Sequence, residues 1–158
     1  MSNQENVFET ILAPMTGTAV AITEVPDPIF IEKILGDGIA IVPTEGKVVS
    51  PVDGTVSKVA ETGHIYAVTS DNGVEVVIHV GLETVALNGK CFQIHVKEGD
   101  KVKAGDLLAD AELEFIKETG RNSITPIVIG SSLEGKDLVC EEGEVQAGKT
   151  VIMEIKQK

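Results

Sequence analysis

An all-β fold, an antiparallel β-sandwich or barrel with a few short helices, is what this sequence predicts. Three observations carry that prediction. Valine and isoleucine abound while aromatics make up 3% and Trp is absent, a bias toward branched side chains that fit a pleated surface. The 16 glycines punctuate the chain into short runs bounded by turn residues. Two internal echoes add a duplicated-hairpin, barrel-sandwich-hybrid character. "APMTGT" at 13–18 recurs as "SPVDGT" at 50–55, and "VKEGDKVKAGDLL" at 96–108 resembles "CEEGEVQAGKTVI" at 140–152.

Strand signals fall at residues 10–22, 36–43, 47–59, 64–70, 74–80, 92–108, 125–131 and 149–156. Helical signals are short: "FIEKIL" at 30–35, and "DAELEFIKETG" at 110–120, where Gly120 marks a C-terminus. A length of 158 residues suits one domain over 1–158, with residues 1–6 expected as a flexible start. No apolar run reaches membrane-spanning length, and "MSNQENVFET" lacks the basic and apolar regions of a signal peptide. A cytoplasmic chain without direct membrane insertion is expected.

A net charge of −12 offers no basic stripe to neutralise phosphates, which argues against nucleic acid as a partner. The two cysteines, Cys91 and Cys140, form no disulfide framework and have no metal-ligand spacing, so they read as unpaired thiols. "GEVQAGKT" at 143–150 matches the phosphate-loop pattern. That motif needs a following helix whose N-terminal amides hold phosphate. Here "VIMEIKQK" alternates like a strand, and Glu144 would set a carboxylate beside the phosphates. No nucleotide and no other cofactor is expected.

The remaining chemistry lies in "GVEVVIHVGLETV" at 73–85. With a period of two, Val74, Val76, Ile78 and Val80 enter the core, while Glu75, Val77 and His79 face the other way. Upstream, "HIYAVTS" and "DNG" make a hairpin with this strand. A two-residue loop of Asp71 and Asn72 sets His64 opposite His79, and one of Asn72 and Gly73 sets it diagonal on the same face. A three-residue loop separates their faces. Two adjacent imidazoles suit either metal binding or a phosphoryl relay. Metal needs a third ligand, and His95 lies on a separate strand without ligand spacing, as an exposed edge histidine. A zinc-binding or zinc-hydrolase module on His64 and His79 is the alternative reading; otherwise zinc there is adventitious. A lipoyl- or biotinyl-type carrier would need its signature lysine at a hairpin tip, which is absent.

"VPDPIFIEKILGDGIAIVP", "SPVDGTVSKV", "ETGHIYAVTSDNGVEVVIHVGLETV" and "EGDKVKAGDLL" resemble the glucose-class enzyme IIA of the bacterial sugar phosphotransferase system, from about residue 7 to the end. The resemblance implies a cytosolic phosphocarrier, a phosphotransferase with a phosphohistidine intermediate. On it, His79 is the phosphorylated nucleophile, receiving the group from the histidine-containing phosphocarrier protein. His64 steadies the phosphoryl group for transfer to the cysteine of a glucose-type IIB domain, and Thr62 orients His64. Asp27 and Glu83 match acidic positions that meet the donor. Ile29, Phe30, Ile34, Leu35 and Val85 are expected to ring the docking surface, while Val80 falls on the core face. Regulatory binding to sugar permeases or glycerol kinase is a property of some relatives. Cys91 stands where the family commonly has a small residue, and no role attaches to it.

Overall fold

The computed structural model describes residues 7–158, so the expectation for residues 1–6 lies outside the described residues. The chain runs β1 (Val7–Leu12), β2 (Gly17–Ala21), α1 (Pro28–Ile31), β3 (Gly38–Pro43), β4 (Lys47–Val49), β5 (Gly54–Val59), β6 (Ile65–Ser70) and β7 (Glu75–His79). It continues with β8 (Phe92–Ile94), β9 (Lys101–Val102), β10 (Leu107–Ala111), α2 (Leu113–Glu118), β11 (Thr125–Ile129), β12 (Lys136–Cys140), β13 (Gly143–Val145) and β14 (Val151–Gln157). Short 3-10 turns occupy Ile22–Glu24 and Thr84–Leu87. All strand pairs are antiparallel.

Eight strands form one open sheet in the order β13-β2-β3-β11-β7-β6-β5-β9, beside three-stranded sheets β1-β14-β12 and β4-β10-β8. This is a layered arrangement of open sheets, not the closed barrel that the sequence left open.

The large sheet reads as a palindrome about the β11–β7 pair, and the sequence echoes mark it. Gly17 faces Pro43 and Val145, and Gly54 faces Ser70 and Val102 in the same way. Ala13 and Ser50 each donate to one carbonyl and accept from one turn glycine. Ala13 bonds with Thr150 and Gly148, and Ser50 with Asp106 and Gly105, all at 2.8 Å. Only glycine fits at the paired strand starts. A Cβ on Gly17 would meet the Val42 carbonyl oxygen at 2.1 Å, and one on Gly54 the Thr69 carbonyl oxygen at 2.1 Å.

The phosphate-loop lookalike is the second of these turns. The N–H groups of Lys149 and Thr150 donate to the Gln146 carbonyl, Glu144 accepts from the Thr18 hydroxyl, and β14 follows directly. No helix follows it to cradle a phosphate.

The main core lies between the sheets, with Ile39, Ile41, Val76, Ile78, Ile127 and Ile129 pointing into it together with Ile11, Met153 and Leu108. Alternate residues of the central strands point to the outer face, where Ala40 and Val128 meet a second cluster of Ile22, Val25, Phe30, Leu82 and Ile124. Strands β3, β7 and β11 are therefore covered on both sides over part of their length. That cover comes from the β2–β3 connection, which carries α1, together with Leu82 and Ile124.

The helices differ from the sequence expectation at their ends. Helix α1 begins before Phe30, because the Asp27 side chain accepts from the Ile29 N–H at 3.0 Å and Pro28 occupies the first turn. It closes with Lys33 at φ 57 and the Ile34 N–H returning to the Ile29 carbonyl at 3.0 Å, a Schellman motif. Helix α2 ends at Glu118, with Gly120 at φ 82 closing it after the Thr119 cap, and Asp110 and Ala111 belong to β10. The 92–108 stretch splits into β8, β9 and the start of β10, with turns at Gly99 and Gly105. Strand β12 was not signalled at all: its alternation of Lys136, Asp137 and Leu138 is half polar, and it pairs only with β14.

Gly54→Ala should lower unfolding free energy by about 2 kcal/mol or more through overpacking against fixed backbone. Urea titration with an unchanged m-value is the check.

Candidate functional site

The Asp71-Asn72-Gly73 turn sets the geometry of the histidine pair. Gly73 takes φ 88, its N–H donates to the Ser70 carbonyl at 2.8 Å, and Ser70 N–H donates to the Val74 carbonyl at 2.8 Å. This is the three-residue hairpin loop with glycine in the left-handed position. The register is therefore Ile65 opposite His79, the one in which strand alternation separates His64 from His79.

The rings nevertheless meet, with centroids 5.5 Å apart and planes at 80°. His64 precedes the first residue of β6 and closes the Ala60–His64 turn, where Gly63 takes φ 75. Pleat alternation does not govern a side chain placed in a turn. Its backbone stays tied to the hairpin through Val80 N–H, which donates to the His64 carbonyl at 2.8 Å. Its ring is held by Thr62, whose Oγ1 lies 2.5 Å from Nδ1. Thr62 thus contacts His64.

His79 is the last residue of β7 and stands on the outer face, as alternation required. Its Nδ1 lies 2.9 Å from the Gly81 carbonyl oxygen. A carbonyl only accepts, so Nδ1 carries the proton and Nε2 keeps its lone pair. Gly81 takes φ 77, and a Cβ there would meet Thr84 Cγ2 at 2.7 Å and the Asn122 carbonyl oxygen at 3.2 Å. The buried Thr84 hydroxyl donates to the Val80 carbonyl at 2.6 Å, and Leu82 N–H donates to the Asn122 carbonyl at 2.9 Å. The bend after the strand is thereby locked. Phe30 packs edge-on against His79, with centroids 5.4 Å apart.

Burial lowers the pKa of His79 against an opposing pull from the Gly81 hydrogen bond and the Asp27 carboxylate. Burial also lowers that of His64, with further contributions from His79 and Lys58. Both imidazoles are neutral near pH 7. A mostly apolar cleft of about 280 Å³ opens beside His79, lined by Phe30, Leu35, Ile65, Val77 and Lys58 among others.

Of the residues expected at a docking surface, Ile29, Ile34, Leu35 and Val85 are exposed, Ile34 to 67%. Phe30 is not: it is 3% exposed, because it fills the second cluster beneath α1 and braces His79. Asp27 caps α1 and lies close enough to His79 to act on its charge. Glu83 sits at φ 59, with its carbonyl accepting from Arg121 Nε at 3.0 Å. Val80 is buried, as alternation placed it.

His95 is elsewhere, with Nε2 2.9 Å from Asp110. Among the described residues no group of three or more potential metal ligands forms, so the zinc reading lacks its third ligand. Cys91 is buried in the core with its thiol pKa raised by burial, and Cys140 is a free surface thiol. Sequence reasoning missed the Gly81 carbonyl, Arg121 and Lys58. Only Gly81 left a signal, a glycine two residues after a histidine at a strand end.

The sequence profile described as "phosphoenolpyruvate-dependent sugar phosphotransferase system, EIIA 1" matches residues 9–134. The chain belongs to that family. It is 46% identical over 151 residues to the "PTS system glucose-specific EIIA component" of Bacillus cereus, spanning 95% of this chain and 92% of that protein. It is 43% identical over 151 residues to the "PTS system N-acetylglucosamine-specific EIICBA component" of Klebsiella pneumoniae, spanning 95% of this chain and 23% of that longer protein. The solved structure of "glucose permease IIA from Mycoplasma capricolum" superposes with a TM-score of 0.86 at 34% identity, covering 92% of this chain and 94% of that one. The open antiparallel sheets and the short helices are those of this family. Among the described residues no helix is long and apolar enough to cross a membrane.

Folded-state pKa values below the ordinary 6.5 carry a stability consequence. As pH falls below 6.5, the unfolded chain takes up protons that these rings refuse, so stability is full above that value and declines toward the folded pKa values. Nitrogen-detected NMR titration should show both rings neutral at pH 7, with His79 protonated on Nδ1 only. A ring charged at pH 7 would contradict this.

Proposed function

We propose that this chain is a phosphocarrier for sugar uptake that takes a phosphoryl group onto His79 Nε2 and passes it to the cysteine of a glucose-type IIB domain. The observation that carries the reading is the bond from His79 Nδ1 to the Gly81 carbonyl, with the His64 ring packed against the His79 ring. The donor is the histidine-containing phosphocarrier protein, and this role places the chain in the cytoplasm. Relatives named as joined C, B and A components in one chain support a IIB partner.

The transfer needs no cofactor. The lone pair of His79 Nε2 attacks phosphorus in line with the donor's P–N bond, which breaks as its electron pair returns to the donor ring. The donor phosphohistidine, protonated on its other nitrogen, leaves as neutral imidazole. His79 keeps its Nδ1 proton on the Gly81 carbonyl, so its ring takes up the positive charge that the donor ring gives up. The reverse logic sends the group to a thiolate on the acceptor. Rate then rests on alignment and on groups aimed at the phosphoryl oxygens. His64, oriented by Thr62, supplies a ring nitrogen for this.

Docking falls to the exposed apolar side chains Ile29, Ile34, Leu35 and Val85 with the carboxylates of Asp27 and Glu83. An apolar centre with an acidic rim suits a basic partner, steered by charge.

His79→Ala should abolish phosphorylation by phosphoenolpyruvate, enzyme I and the phosphocarrier. His64→Ala should still accept phosphate but slow onward transfer on the order of 10²-fold or more, the scale of losing an aimed stabilising donor. Normal labelling of the His79 variant would overturn the reading.

A further inference from the structure

We propose that Lys58 binds the phosphoryl oxygens on His79, aimed there by a bulge built into β5. The inference rests on the reading of His79 as the phosphorylated residue.

The bulge is visible in the register of the β5–β6 pair. Val56 faces Val68, but Lys58 faces Ala67, so Ser57 is an extra residue without a partner. In an unbroken strand, Lys58 would follow Val56 by two and share its face. Val56 is buried in the main core, so Lys58 would point its ammonium inward. One inserted residue flips every side chain beyond it. Lys58 is turned instead to the outer face, where it is exposed and lines the same cleft as His79.

The outer face leaves room for the reach. Paired residues share a face, so Lys58, Ala67 and Val77 form one row across β5, β6 and β7. Ile65 and His79 form the next row. Between Lys58 and the His79 strand stands only the methyl of Ala67, over which a four-carbon stem can lie. Among the described residues Lys58 has no carboxylate within ion-pair distance. Its charge already acts on His64 in the unphosphorylated chain.

The need for a cation here is electrostatic. Phosphorylation brings about two negative charges into a chain of net charge −12. Asp27 acts on His79, and Glu75 lines the cleft. The phosphorylated His79 ring carries one positive charge but keeps its Nδ1 proton on the Gly81 carbonyl, and neutral His64 offers a hydrogen bond but no full charge. Among the described residues Lys58 is the one Lys or Arg lining that cleft, and its strongly hydrated, flexible ammonium suits a group that must be gripped and then released.

The test compares wild type with Lys58→Met and Lys58→Arg, each phosphorylated chemically with phosphoramidate, which removes donor docking from the comparison. Mass spectrometry locates the phosphate, and phosphorus NMR follows its titration. Equilibration with the phosphocarrier protein then gives the transfer equilibrium constant. With Lys58→Met the phosphoryl titration should move to higher pH, and the equilibrium should shift about three- to tenfold toward the donor, the scale of a charge-assisted contact near solvent. Lys58→Arg should restore both, and raised salt should shrink the difference. Identical titration and equilibrium in wild type and Lys58→Met would overturn the role of Lys58 while leaving His79 as the phosphorylated residue. A wild-type chain that takes no phosphate on His79 would remove both readings.

Discussion

The hydrogen bond from His79 Nδ1 to the Gly81 carbonyl, 2.9 Å long, is the contact on which the site depends. An imidazole has two candidate nucleophilic nitrogens, and this bond leaves only one with a lone pair. It requires the chain to bend sharply at the end of β7, which the left-handed conformation of Gly81 permits. Thr84 and Asn122 lock the bend from either side. Each of these groups sets where Nε2 points.

The duplicated sheet explains how the fold offers a rigid platform for this bend. Its two halves share strand order, paired glycines and interlocked turns, but they differ in their connections, and one difference builds the site. Between β5 and β6 the chain turns within a few residues and leaves Thr62 and His64 at the sheet end. Between β2 and β3 the matching connection runs out through α1 and returns over the outer face. It lays Phe30 against His79, a histidine of the other half. One half thus furnishes both imidazoles and the other covers His79, whose burial lowers its pKa.

Much of this was legible in the residues. Alternation through Val74, Val76 and Ile78 placed His79 outward, and the central strand does so. The Ala-Gly echoes pointed to a duplication that the hydrogen bonds at Ala13 and Ser50 bear out. The hairpin register was not legible, because "DNG" satisfies two- and three-residue loops alike and the choice rests on Gly73 taking positive φ. The proximity of His64 to His79 arose differently from the expected cross-strand pair, through a turn that pleat arithmetic does not describe. Phe30 looked like a docking residue because helical periodicity cannot say which face a one-turn helix buries. The bulge at Ser57 left no mark in composition, since its cause is pairing across strands.

The central claim is that the backbone at Gly81 selects the nitrogen that reacts. The most direct measurement is nitrogen–phosphorus NMR on chain labelled with nitrogen-15 in its histidines and phosphorylated by phosphoenolpyruvate, enzyme I and the phosphocarrier. The account predicts a phosphorus–nitrogen coupling at Nε2 of His79, with Nδ1 still protonated. A coupling at Nδ1 of His79, or at His64 or His95, would contradict it.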